Sequence, residues 1–177
     1  GYLLFLGRIV PEKGLRYLIE AYKELHTDKK LVIAGGSSDT DDFMQEIQTL
    51  ATVDDRIIFT WFVAGQALEE LYSNAYLYLL PSDLEGMPLS LLEAMSYGNC
   101  CVVSDIAECS EGVEDKAVTF QKSNVQDLKE KLQRLCDDPA TVQKYKNEAA
   151  DFICSKYNWD EITQKTLAVY EDRLWES

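Results

Sequence analysis

The 177-residue chain carries a formal charge of −14 at neutral pH, from 31 acidic against 17 basic side chains. That balance excludes general attraction to nucleic acid or anionic lipid, so basic residues set into a crevice mark candidate anion sites. With 46% hydrophobic residues, the length fits one globular domain with a real core. No apolar run nears the roughly 20 residues of a membrane-spanning helix. The five cysteines, Cys100, Cys101, Cys109, Cys136 and Cys154, form no CxxC and no metal-type spacing. They read as reduced, mostly buried thiols of a cytoplasmic protein, with no metal site expected.

In chain order, apolar strands alternate with amphipathic helices. Tyr2–Leu6 reads as a strand, Gly14–Leu25 as a helix, and Lys30–Ala34 as a strand ending in Gly35-Gly36. A helix is expected over Thr40–Thr52, a strand over Arg56–Thr60, a helix over Ala67–Asn74, and a strand over Tyr76–Leu80 stopped by Pro81. Then follow a helix over Pro88–Tyr97 and strands at Cys100–Ser104 and Ala117–Phe120. Three helices near Val125–Cys136, Pro139–Lys156 and Trp159–Trp175 close the chain. The strands are continuous apolar runs such as Leu-Val-Ile-Ala, the signature of a parallel sheet covered on both faces. Strand–helix alternation with short connections predicts a doubly wound, Rossmann-like α/β fold.

In such folds ligands sit beyond the carboxyl ends of the strands. The loops to search are therefore Gly7–Lys13, Gly35–Asp39, Trp61–Gly65, Ser82–Met87 and Asp105–Gly112. The segment from Ser82 to Glu93 follows a buried strand and opens a helix, with Pro88 expected at the first helical position. Backbone N–H groups from Met87 through Leu89 and Ser90, backed by the helix dipole, suit phosphate, and Gly86 lets the backbone come close to a ligand. Glu85 and Glu93 flank that helix start and suit hydroxyl groups on either side of an anion. Spacing alone leaves them equally readable as solvated surface carboxylates. After the first strand, Gly7-Arg8-Ile9-Val10-Pro11-Glu12-Lys13-Gly14 is neither GxGxxG nor a P-loop. Its two cations, Arg8 and Lys13, either face a diphosphate and offset leaving-group charge, or form an exposed pair bridged to Glu12. His26, the only histidine, reads as a surface residue near a helix end, which leaves no Ser–His or Cys–His catalytic unit.

At these residues the chain resembles the C-terminal domain of the family 4 (group 1) retaining glycosyltransferases, enzymes built of two Rossmann-like domains in the GT-B architecture. The resemblance runs through "FLGRIVPEKGLRYLIEAYKEL", "LVIAGG", "ELYSNAYLYLLPSDLEGMPLSLLEAMSYG" and "CVVSDIAE". Glu85 and Glu93 match the family's E-x7-E motif within a strand–Pro-Ser–Glu-Gly–helix context. The resemblance implies that Arg8 and Lys13, on the loop opened by Gly7, bind the donor diphosphate. It puts Glu85 on hydroxyls of the transferred sugar and Glu93 on the ribose. The stretch Gly86-Met87-Pro88-Leu89-Ser90 lines the phosphates. It implies a metal-independent, cofactor-free transfer with retention, the donor being a nucleotide-diphosphate sugar with uridine as the default base.

Two departures from the family pattern stand out. Trp61-Phe62 occupies a place where relatives often carry glycine, and Ile106-Ala107 followed by Glu108 replaces a pair of glycines. The resemblance also implies an N-terminal acceptor domain for which 177 residues leave no room. Sugar, polysaccharide or lipid-linked acceptors, and any membrane contact, would belong to that domain. Two alternatives remain at this point: a nucleotide-sugar epimerase of the same architecture, and a non-catalytic nucleotide-sugar-binding module.

Overall fold

The computed structural model describes residues 1–36 and 41–157. Its elements, in chain order, are β1 (Tyr2–Leu6), α1 (Leu15–Lys23), β2 (Lys30–Ala34), α2 (Asp41–Ala51), β3 (Ile57–Trp61), α3 (Gln66–Asn74) and β4 (Leu77–Leu80). They continue as α4 (Leu89–Ser96), β5 (Cys101–Ser104), α5 (Ala107–Val113), β6 (Val118–Phe120), α6 (Val125–Asp137) and α7 (Pro139–Lys156). The strands form one parallel sheet in the order β3-β2-β1-β4-β5-β6. This is the doubly wound order, with β1 and β4 side by side where the winding direction reverses.

Strand alternation sorts the apolar residues onto two faces. Leu3, Phe5, Ile33, Leu77, Leu79 and Val102 pack against α1, α2 and α6. Leu4, Val32, Tyr78, Leu80, Cys101 and Val103 pack against α3, α4 and α5. Helix α7 wraps the edge, with Val142 in the first core and Ala149 and Ile153 in the second. The two C-terminal helices are locally encoded. Asn124 and Asp138 accept hydrogen bonds from the N–H groups of Asp127 and Thr141 at 3.0 and 3.1 Å, and Pro139 begins α7. Leu128, Leu132 and Leu135 then give α6 its buried stripe.

Two expectations are corrected. Most of Asp105–Gly112, expected as loop, belongs to α5 (Ala107–Val113), because Ile106, Cys109 and Val113 recur at helical spacing and are buried. Trp61, expected in a loop, pairs with Ala34 as the last residue of β3 across a register shift, at φ 60°. Thr40, the loop residues to Asp39, and the helix expected over Trp159–Trp175 lie outside the described residues.

The cysteines are all free. Burial pushes the Cys100 and Cys109 thiols up to about 12 and Cys101 well above its ordinary value. Cys154 is exposed. A thiol reagent at mildly alkaline pH is therefore expected to modify Cys154 first, and Cys100, Cys101 and Cys109 only after denaturation. Rapid modification of any of those three in the folded chain would contradict this packing.

Candidate functional site

The site grows from the place where β1 and β4 end side by side. Gly14, at φ 70°, brings the loop after β1 so close to the end of β4 that a Cβ there would lie 2.0 Å from the Pro81 carbonyl oxygen. The two loops are then stitched together. The Asp83 N–H donates to the Glu12 carbonyl at 2.8 Å, and the Tyr17 hydroxyl donates to the Asp83 carboxylate. Burial first, then Asp83, pushes the Tyr17 hydroxyl up to about 12, so it remains a donor. Behind the loops, the buried Tyr78 hydroxyl reaches the Leu6 carbonyl at 3.2 Å and shares a 2.8 Å hydrogen bond with Ser90 Oγ. One side chain thus ties the end of β1 to the first turn of α4.

Lys13 and Glu85 meet directly across this seam. Lys13 Nζ donates to Glu85 Oε1 at 2.6 Å, and Ser82 Oγ donates to the same oxygen at 2.5 Å. The pair is largely buried, with side-chain exposures of 15% and 7%. The local alternative, a bridge from Lys13 to Glu12, is not formed. The ammonium keeps two further N–H groups, and Glu85 Oε2 accepts no hydrogen bond from the described residues. Arg8 is exposed and makes no ion pair among the described residues; it lines a cavity of about 470 Å³ with Gly7, Gly35, Gly36, Phe62 and Val63.

At the tip of α4, Pro88 is the N-cap rather than the first helical residue. The expected row of free amides is shorter than predicted. Pro88 has no N–H, and the Leu89 N–H is taken by the Met87 carbonyl at 2.8 Å. Leu91 and Leu92 N–H groups turn back to the Pro88 carbonyl. Among the described residues the N–H groups of Gly86, Met87 and Ser90 have no protein acceptor. The Ser90 hydroxyl is occupied by Tyr78, leaving its amide for a ligand. Glu93 is exposed and accepts a 3.0 Å hydrogen bond at Oε2 from Tyr72.

The structure therefore brings Lys13, Glu85 and the α4 tip together through Ser82, Tyr78 and Asp83. Sequence reasoning missed those three and Tyr72. The hydroxyl inside the apolar run Leu77-Tyr78-Leu79-Leu80 was the one available signal, since a buried phenol needs a partner. Among the described residues no group of three or more His, Cys, Asp or Glu side chains is placed to hold a metal ion. The remaining N–H groups of Lys13 and the free amides of the α4 tip, with Glu85 Oε2 and the Glu93 carboxylate beside them, suit a ligand whose anionic centre is flanked by hydroxyl groups, while Arg8 lines its own cavity on the neighbouring loop.

A doubly wound sheet with such an anion crevice at its switch point defines a Rossmann-like α/β domain. The model of the glycosyl transferases group 1 family matches residues 1–152, and the chain belongs to that family. An uncharacterized glycosyltransferase of Methanocaldococcus jannaschii is 31% identical over 173 residues, covering 96% of this chain and 44% of its own length. The O-antigen chain mannosyltransferase B of Escherichia coli is 28% identical, covering 97% of this chain and 46% of its own. Among solved structures, HepE of Anabaena in complex with UDP and glucose superposes with a TM-score of 0.89 at 18% identity, covering 97% of this chain and 48% of that one. Sucrose-phosphate synthase from Thermosynechococcus elongatus gives 0.90 at 23% identity, with 99% and 46% covered. The chain is thus a group 1 glycosyltransferase domain with the fold of one Rossmann-like half of a GT-B enzyme. It spans under half the length of these relatives.

Proposed function

We propose that this domain is the C-terminal, donor-binding half of a family 4 retaining, metal-independent glycosyltransferase. It takes a nucleotide-diphosphate sugar, with uridine as the base. The observation that carries the reading is the junction of Lys13 with Glu85 across β1 and β4, beside the unpaired amides at the α4 tip. Arg8 and Lys13 hold the diphosphate, with the Met87 and Ser90 amides completing the anion site. Glu85 offers Oε2 to a hydroxyl of the transferred sugar, and Glu93 offers Oε1 to the ribose. The C1–O bond to the diphosphate breaks with its electron pair passing to the phosphate oxygen, where the cations offset the charge. The acceptor hydroxyl attacks C1 from the same face and passes its proton to that oxygen. The acceptor-binding surface, with a sugar, polysaccharide or lipid-linked acceptor and any membrane contact, belongs to an N-terminal partner domain in a cytoplasmic enzyme. The epimerase alternative gains nothing from these relatives.

Thermal melting against a panel of nucleotide sugars tests this directly. At least one nucleotide-diphosphate sugar is expected to raise the melting temperature. Arg8→Ala should weaken that binding by about 1.5–3 kcal/mol, as for a charge-assisted hydrogen bond. A panel with no stabilising member, or an unchanged affinity in Arg8→Ala, rules the assignment out. The chain alone is expected to bind donor without completing transfer.

A further inference from the structure

We propose that Tyr72 is a positioning residue for Glu93, selecting which of two cavities that carboxylate serves; the proposal rests on the donor reading above. Glu93 stands on a ridge of α4 and lines a hollow on each side. One, of about 570 Å³, lies toward α7 and includes Leu92, Ile153 and Tyr157. The other, of about 250 Å³, lies toward α3 and is lined by Gly65, Leu68, Glu69, Tyr72, Glu93 and Tyr97. Glu93 has no cationic partner among the described residues, and its one side-chain hydrogen bond is the 3.0 Å contact from Tyr72. A free glutamate samples many rotamers; that bond restricts it to the α3 side and occupies Oε2.

Tyr72 is well built for this task. The residue is 1% exposed. The ring stacks on Tyr97 at 5.3 Å between centroids with 15° between planes, and tilts against Tyr78 at 5.9 Å. Its backbone carbonyl is held at 2.9 Å by Asn99, which also binds the Ala94 carbonyl of α4 at 3.0 Å. The phenol cannot rotate away without unpacking the α3–α4 interface. Burial, then the charges of its neighbours, keep the hydroxyl far above its ordinary acidity range, so it stays a donor, with Glu93 Oε2 at 3.0 Å the nearer acceptor and the Ser90 carbonyl at 3.4 Å the other. The Tyr72 hydroxyl thereby leaves Glu93 Oε1 as the acceptor for a vicinal diol entering from the α3 side.

Calorimetry on Tyr72→Phe decides the matter, since the phenyl ring keeps the stack. UDP, its dideoxyribose counterpart and pyrophosphate serve as probes. Wild type should bind UDP more tightly than the dideoxy form. Tyr72→Phe should lose about 10-fold in UDP affinity, the scale of one hydrogen bond to a charged group, with little change for the dideoxy form or pyrophosphate. Tyr72→Phe combined with Glu93→Gln should bind UDP no worse than Glu93→Gln alone. Equal losses for UDP and the dideoxy form, or no loss for either, would overturn the positioning role while leaving the donor reading standing. Wild type that binds neither UDP nor pyrophosphate would remove the donor reading and this proposal with it.

Discussion

Lys13→Met is expected to lower both stability and donor affinity, and the two losses should separate in a double variant. Removing the ammonium leaves Glu85, 7% exposed, with only the Ser82 hydroxyl for its charge. Breaking a buried ion pair from one side costs about 3–5 kcal/mol. Lys13 is 15% exposed and the seam is open to water on one side, so about 2–3 kcal/mol is the expected loss here. For a chain of this size that lowers the melting temperature by roughly 5–10 °C. Adding Glu85→Gln removes the orphaned charge, and the double variant should regain more than half of the lost stability. Donor affinity should stay down by about 1.5–3 kcal/mol in both, because the diphosphate still lacks its cation. Arg8→Ala is the contrast: Arg8 is exposed and unpaired among the described residues, so stability should hold within about 0.5 kcal/mol while affinity falls. If Lys13→Met melts and binds like wild type, the junction of the two loops has neither structural nor ligand-binding weight.

The sheet was legible because buried parallel strands must be apolar on both faces, and runs such as Leu31-Val32-Ile33-Ala34 allow few other readings. The doubly wound order that follows from these runs sets β1 and β4 side by side, and with them their loops. What stayed illegible depends on residues far apart in sequence. In the sequence Lys13 and Glu85 are two independent ligand groups, whereas a contact spanning 72 positions joins them. Pro88 promises a helix start with a free Leu89 amide; the tight turn that spends it on Met87 follows from how the loop closes over the seam. Tyr72 falls within a predicted helix, and nothing local reveals that its hydroxyl meets Glu93. Helix α5 is illegible for a different reason: Asp105–Gly112 follows a strand end, where a ligand loop is expected, and only the burial of Ile106, Cys109 and Val113 shows the helix. The family resemblance supplied the pairing of Glu85 with Glu93 that periodicity alone left open.

Gly35→Ala is expected to be strongly destabilising, on a par with Gly14→Ala. Gly35 has φ 135°, and a Cβ built there lies 1.9 Å from the carbonyl oxygen of Gly7 and 2.9 Å from its carbon. Both are backbone atoms, so no flexible side chain can move aside. The strand ends are also locked: the Gly7 N–H donates to Ala34 at 3.0 Å, the Gly35 N–H to Trp61 at 2.8 Å, and the Ile9 N–H to Gly36 at 2.9 Å. A methyl group must therefore push the β1 loop off the ends of β2 and β3, breaking some of these bonds as well as straining φ. About 3 kcal/mol or more of stability should go, near the top of the usual range for point substitutions. The melting temperature should fall by roughly 6–12 °C. Gly36→Ala is the control, since nothing lies within 4 Å of its Cβ, and its melting temperature should stay close to wild type. The binding consequence follows from the same contact. Gly7 precedes Arg8, so displacing the Gly7 carbonyl swings the guanidinium away from the cavity it lines with Gly35 and Gly36. Residual folded Gly35→Ala protein, assayed below its melting transition, should bind donor at least as weakly as Arg8→Ala. Wild-type affinity in that protein would mean that Arg8 does not need this loop position to reach the diphosphate.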